Sequence, residues 1–380
     1  MRLAFAIDTL IAGLMNLCLA LLPFASAEIA ITFSDAGVYR YDPTPEARRA
    51  TRAEIEHLAE RLIPANADRR RAWEELIARE LREGDPHAAR GFALAAPRLL
   101  GPIDRIRLAQ HINAKSSDAE ITAAAAALLS NETRESFSLA AAYMAGNDAA
   151  AARNPAAFLV EGRASDFAAQ ARAWLSGRDR DHLSLVLTGI GAALDGQIGA
   201  NIALGASALK DARRAGRLRP AFAARLEDLA EAAFPSEQLR AGLSPSLSDP
   251  ATLANESRAA ARAFSDAMVR ARFSDFANAL FEIGEMAAAT SSRGAGRLLA
   301  QADALSDLPR LRLAAQAGGD RAVAVAKRLP EGAPLAQTAH GTLYWSQSLA
   351  LKFAALIALM LGMIAATLIS LAQAFRSTET

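Results

Sequence analysis

Few residues in this chain stand at spacings that could do chemistry. Ser207-Ala208-Leu209-Lys210 matches Ser-x-x-Lys, in which a lysine on the next helical turn could take the serine proton, but the companion Lys-Thr-Gly element is missing. The five histidines, His57, His87, His111, His182 and His340, include no pair at helical ligand spacing, so no metal site is read from them. Gly189-x-Gly191 is followed by Leu194 where a dinucleotide loop needs a third glycine, and no strand pattern precedes it. Glu74-Glu75 lie within helical reach of Arg71 and Arg79 and read as solvated charge pairs. Cys18, the single cysteine, has no partner for an intrachain disulfide, and Leu17 stands where a lipid-modified cysteine needs a small neighbour. Asn131-Glu132-Thr133 is a glycosylation acceptor in form only. No catalytic residue, metal or cofactor is assigned on this basis, and the balance falls against an enzyme.

The elements that would position any site are helices. Alanine, the best helix former, supplies 93 of the 380 residues, while aromatics are only 6%. The expected fold is all-α, an irregular helical array, since no fixed repeat period or repeat consensus occurs. Forty-two basic and 41 acidic residues are interleaved and leave a net charge of +1, so nucleic acid is not an expected partner. Only Lys115, Lys210, Lys327 and Lys352 are lysines, and this arginine and alanine bias is that of a GC-rich bacterial genome.

Both ends of the chain point to a lipid bilayer. Met1-Arg2, a mostly apolar stretch to Leu22, and Ala25-Ser26-Ala27 have the order of a secretory signal (residues 1–27) cleaved after Ala27; the alternative is an uncleaved anchor helix from Leu3 to Leu22. Residues 349–375 read as a transmembrane helix, because Phe353 to Phe375 carries no charge and, at about 1.5 Å per residue, exceeds a hydrocarbon core of roughly 30 Å. Tyr344, Trp345 and Lys352 suit the headgroup region before it, and Arg376 opens a short tail, 376–380. With an exported start, the body is expected in the periplasm at the bacterial inner membrane. Ala354, Ala358, Gly362, Ala366 and Ser370 recur every fourth residue, a small-sided strip that could admit a partner transmembrane helix, from a second copy or another protein.

Between these ends, residues 28–241 read as a helical domain, 242–250 as a linker (Gly-Leu-Ser-Pro-Ser-Leu-Ser-Asp-Pro) and 251–340 as a second helical region. Alternation at Ile29, Ile31 and Phe33 and again at Tyr39 and Tyr41, around Ser34-Asp35-Ala36-Gly37, predicts one short N-terminal β-hairpin. Thr44-Pro45, Asp85-Pro86, Asn154-Pro155 and Asp249-Pro250 are helix starts, Ser117-x-x-Glu120 is a capping box, and Gly318-Gly319 parts two short helices.

Residues 183–209 carry one charge, Asp195, and glycines at 189, 191, 196, 199 and 205. Three readings stay open: a buried helix pair in a soluble core, a membrane hairpin with Asp195-Gly196-Gln197 at its tip, or a true span. Lys210, Arg213, Arg214, Arg217 and Arg219 follow at once, either as a solvated, ion-paired helix face or as a contact for anionic lipid headgroups. The leading functional expectation is a membrane-anchored cell-envelope scaffold or interaction protein. The alternative is a membrane-active or transport accessory component inserting residues 183–219, with an envelope hydrolase third.

Overall fold

The computed structural model describes residues 13, 15–24, 26–27, 39–113, 115–153, 164–193, 199–248, 253–329, 335–343 and 347–377. The fold is all-α, with two-residue strands as its only β-structure among those residues. Two compact units are formed: a body, Tyr41–His340, and a terminal unit joining Met1–Arg40 to Gly341–Thr380. In the terminal unit lie α1 (Met15–Phe24), β1 (Tyr39–Arg40), β2 (Thr342–Leu343) and α19 (Gln347–Ser377).

The body begins with α2 (Pro45–Arg61), α3 (Arg69–Arg82), α4 (Pro86–Leu94), α5 (Ala96–Leu99), α6 (Pro102–Ala109), α7 (Asp118–Ala126) and α8 (Asn131–Arg153). Side-chain caps set these starts. Thr44 accepts from the Ala47 amide, Asp68 from Arg70 and Arg71, and Asp85 from Ala88, satisfying amides that have no partner in the first turn. Ser117 and Glu120 form the reciprocal capping box that opens α7. Between α3 and α4 the chain turns through Gly84 at φ +67°, a backbone region that side chains disfavour.

The second half holds α9 (Ala164–Leu175), α10 (His182–Ala193), α11 (Ala200–Arg214), α12 (Pro220–Ala233), α13 (Ser236–Ser248), α14 (Leu253–Asp266), α15 (Arg270–Ala289), α16 (Ser292–Leu299), α17 (Leu308–Gly318) and α18 (Asp320–Arg328). The pair α17–α18 is parted at Gly319. Helix α10 is covered by α9, α11, α12 and α14, with Leu183, Leu185, Val186, Leu187 and Ile190 buried. At twelve residues it is about 18 Å long, well short of a bilayer. Residues 194–198, including the expected hairpin tip Asp195-Gly196-Gln197, lie outside the described residues.

The glycines of this segment make room. A Cβ on Gly205 would stand 1.8 Å from the Leu280 carbonyl oxygen, and one on Gly284 would stand 1.8 Å from that of Asn201. Helices α11 and α15 therefore cross backbone against backbone. Gly189 likewise faces the Phe264 ring, which stacks on Phe234 at 4.4 Å and meets Phe167 edge-on at 5.3 Å.

Two expectations differ from what is found. Residues 242–248, read as linker, are the C-terminal half of α13, with Leu243 buried and Pro245 inside the helix. Proline there forgoes one backbone hydrogen bond, and packing of α13 on α14 holds the turn regardless. The body is accordingly one unit, with no division at that point. The strand at Tyr39–Arg40 pairs antiparallel with Thr342–Leu343, Tyr39 opposite Leu343 and Arg40 opposite Thr342. The other arm of the expected hairpin lies outside the described residues, as do Asn154-Pro155 and Asp249-Pro250.

The crossing gives a direct test by chemical denaturation of the full chain in detergent. Gly205→Ala or Gly284→Ala is expected to lower stability by about 3 kcal/mol, because a backbone carbonyl cannot yield to a methyl group. Gly191→Ala, whose Cβ meets nothing within 4 Å, is expected to be neutral or stabilising by about 0.5–1 kcal/mol. Equal effects at the three positions would contradict the close crossing.

Candidate membrane interface

Helix α19 contains a 20-residue stretch, Ala350–Ile369, of mean hydropathy 2.2, long and apolar enough to cross a membrane. Its length is about 30 Å, the thickness of a hydrocarbon core. Leu351, Ile357, Met360, Leu361, Ile364, Leu368 and Ile369 all stand exposed along it.

One face of α19 is covered. The shielded positions are Lys352 and Phe353, Leu356, Leu359, Gly362 and Met363, and Ala366, which alternate three and four apart. On α1 the shielded positions are Met15, Cys18 and Leu22, at the same alternation. Such spacing is the 3.5-residue seam of two helices packed side by side. Cys18 is 5% exposed and Ala366 2%, and a Cβ on Gly362 would lie 3.5 Å from the Cys18 sulfur, ordinary van der Waals contact.

The every-fourth strip is thus split between faces. Four residues turn a helix by about 400°, so each step drifts about 40° around the axis. Ala354 and Ala358 are exposed, whereas Gly362 and Ala366 lie in the seam; the side chain of Ser370 is outside the described residues.

The basic run after α10 is largely turned to internal partners. Lys210 is buried and partnered. Arg213 bonds Asp181 and Glu227, each at 2.7 Å, and Arg219 bonds Asp303 at 2.5 Å and the Ala300 carbonyl at 3.0 Å. Arg217 is half-buried beside Gly296, and burial, then Arg297 and Arg293, pushes its guanidinium below the ordinary arginine range. Arg214 alone of the five is exposed.

Titratable groups cluster at three places, among others, in the described residues of the body. At the C-terminal end of α18, Lys327 contacts Glu80, Glu83 and Asp85, and Arg328 contacts Glu80 and Glu83. Asp85 also faces Arg297 at 3.5 Å, and Arg293 donates to the Gly84 carbonyl at 2.9 Å. At the other end of α18, buried Asp320 meets Arg90 and His87, while Arg321 reaches Asp118 and the Leu94 carbonyl. The third cluster is His182, Glu231 and Ser236.

That third group has the residue types of a hydrolytic triad in the wrong order. The Ser236 hydroxyl donates to Glu231 at 2.6 Å, and the His182 Nε2–H is spent on the Phe234 carbonyl at 2.9 Å. The remaining His182 nitrogen, Nδ1, faces Glu231 at 3.5 Å and not the hydroxyl. Burial keeps His182 below its ordinary value against the pull of Glu231, and hydrogen bonds from Ser236 hold Glu231 low despite its own burial. A weak carboxylate base is the only group poised on the serine, so nothing there activates a nucleophile. Ser207 and Lys210 share α11, with Lys210 buried. Among the described residues no three His, Cys, Asp or Glu side chains converge as metal ligands.

Neither a protein-family model nor a curated protein nor a solved structure matches the chain. The seam on α1 and the charged ends of α18 are features the sequence reading did not single out. Met15, Cys18 and Leu22 do carry a readable three–four spacing. The partners of Lys327 lie more than 240 residues away and left no local signal.

The Lys327 cluster makes a pH-dependent contribution. Hydrogen bonds from Lys327, then Arg328, pull the Glu83 carboxyl from 4.5 down to about 2. A depressed folded-state value stabilises the fold above the unfolded value and loses that stabilisation as pH falls toward 2. Glu83→Gln is expected to lower the unfolding midpoint by about 1–2 °C at pH 7, the carboxylate being partly solvated, with the gap closing between pH 4.5 and 2. Glu80→Gln, which strips a fully buried partner from Lys327, is expected to cost about 3 kcal/mol or more. A gap for Glu83→Gln unchanged down to pH 2 would disprove the assignment.

Proposed function

We propose that this protein is a membrane-anchored helical scaffold of the bacterial cell envelope, its body on the periplasmic side of the inner membrane, acting by holding a partner and not by catalysis. The observation that carries the reading is α19, whose apolar surface is exposed over the length of a bilayer. Exposed unpaired apolar area on that scale is unfavourable in water and favourable in lipid.

Two further observations support an interaction role. Helix α6 presents Ile103 and Ile106 to solvent and α8 presents Leu139 and Tyr143, each pair one helical turn apart and more than 60% exposed. The titratable clusters engage one another in place of leaving a nucleophile and base in contact. The alternative, insertion of residues 183–219, draws less support, because α10 is already covered by four helices and Arg213 and Arg219 are ion-paired within the body.

Fractionation and topology test the proposal together. Alkaline carbonate washing is expected to leave the full chain in the membrane pellet. Reporter fusions after residues 45, 230 and 335 are expected to read as periplasmic, and a fusion after 380 as cytoplasmic. Release of the intact chain by carbonate would overturn the anchor, and a cytoplasmic signal at 230 or 335 would overturn the orientation.

A further inference from the structure

Two of the small-residue positions of α19, Gly362 and Ala366, are already covered, and Gly362 faces Cys18 of the same chain. The terminal unit is built from both ends of the sequence, and its two strands pair in defined register, with the Thr342 hydroxyl donating to the Arg40 carbonyl at 3.4 Å. Within the body, the two exits are also secured close to α2 and α17. Arg312 of α17 donates to the Tyr41 carbonyl at 3.1 Å, and the His340 amide donates to Thr51 of α2 at 3.1 Å. Helix α17 packs on α2, so the chain leaves the body at both ends from one helix pair.

From the strands outward, α1 runs toward β1 and α19 runs away from β2, the order of an antiparallel helical hairpin. The shielded positions are Met15, Cys18 and Leu22 on α1 and Leu359, Gly362 and Ala366 on α19, and a Cβ on Gly362 would lie 3.5 Å from the Cys18 sulfur. Glycine and alanine there admit a neighbouring helix closely, and Cys18 is the small side chain that meets Gly362. Leu17, Leu19, Leu21 and Phe24 point away from the seam and are exposed, as they would be toward lipid.

We propose that the N-terminal helix is retained in the mature protein and pairs in cis with α19, Cys18 against Gly362. This rests on the membrane reading above, and it replaces two sequence expectations at once. Cleavage after Ala27 would discard α1 and bare the seam, and a partner helix from another molecule would find Gly362 and Ala366 taken.

Site-directed cross-linking of the full chain in native membranes tests the pairing. Gly362→Cys places a second thiol opposite Cys18, within the reach of a disulfide and without a clash, since a Cβ at 362 makes only ordinary contact. Oxidation with copper phenanthroline is expected to convert most of the chain to an intramolecular disulfide, seen as faster migration without reductant. The shift should vanish in Cys18→Ser and be absent with Ile357→Cys, which lies on the exposed face. Intact mass of the membrane-bound protein is expected to include residues 15–24.

The outcomes separate the two readings. A membrane-bound chain that begins at Glu28 overturns the hairpin and leaves the α19 anchor standing. A full-length chain that stays uncross-linked, or cross-links only between two copies, also overturns the cis pairing. A chain found in the soluble fraction that still forms the internal disulfide upholds the pairing and overturns the membrane reading.

Discussion

Two helices that touch through their backbones, α11 and α15 at Gly205 and Gly284, fix the spacing of the second half of the body. With no side chain between them, the carbonyls of Leu280 and Asn201 sit where a methyl group would otherwise stand, and the helices cannot move apart without opening a void. The neighbours take their positions from that crossing. Helix α10 lies over α11, its Gly189 receives the Phe264 ring of α14, and Phe264 in turn carries Phe167 and Phe234. A segment poor in charge and rich in glycine therefore behaves here as a packing surface, since glycine trades helix propensity for close approach.

The first half is closed onto the last by a different means. Helix α18 reads Asp-Arg, five small apolar residues, Lys-Arg, and it is buried nearly throughout. Asp320 at its start and Lys327 and Arg328 at its end suit the helix dipole, and each end finds opposite charges on or beside α3 and α4. Burying so many charges is unfavourable unless every one is matched. The matching therefore acts less as net stabilisation than as selection: a shifted α18 would strip Asp320, Arg321, Lys327 and Arg328 of these partners. Because α17 and α18 come late in the body and α2 to α4 come first, that seating brings the two exits of the chain to one place.

How much of this could be read in advance depends on the range of the interaction. Caps at Asp85 and Ser117 involve residues three apart, and they stand in the structure as the sequence implies. The long apolar α19 is equally local, since length and composition alone define it. Gly242 to Ser248 misled because turn-forming residues mark breaks only when tertiary packing does not overrule them, and α14 supplies that packing. The small residues of the every-fourth strip were legible, but whether they share a face depends on the drift of 3.6 residues per turn against a spacing of four. The partners of Cys18 and Lys327 are hundreds of residues away, and nothing local to either position encodes them.

These elements bear jointly on how force and position pass between the body and its anchor. A scaffold tethered by one helix can swivel about that tether, and the effective concentration of its binding face is set by the tether's slack. Here both ends leave the body from one helix pair, α2 and α17, and the two flanking strands pair in register. Within the body, Arg312 on the Tyr41 carbonyl and Thr51 on the His340 amide hold both exits against α2 and α17, and opening either contact has a cost of its own. The α2–α17 contact is accordingly the position at which anchoring and folding meet, because loosening it frees both exits at once. Arg213 and Arg219 are likewise committed to partners within the body, Asp181, Glu227 and Asp303, so the charge of that run is used largely to fix the fold.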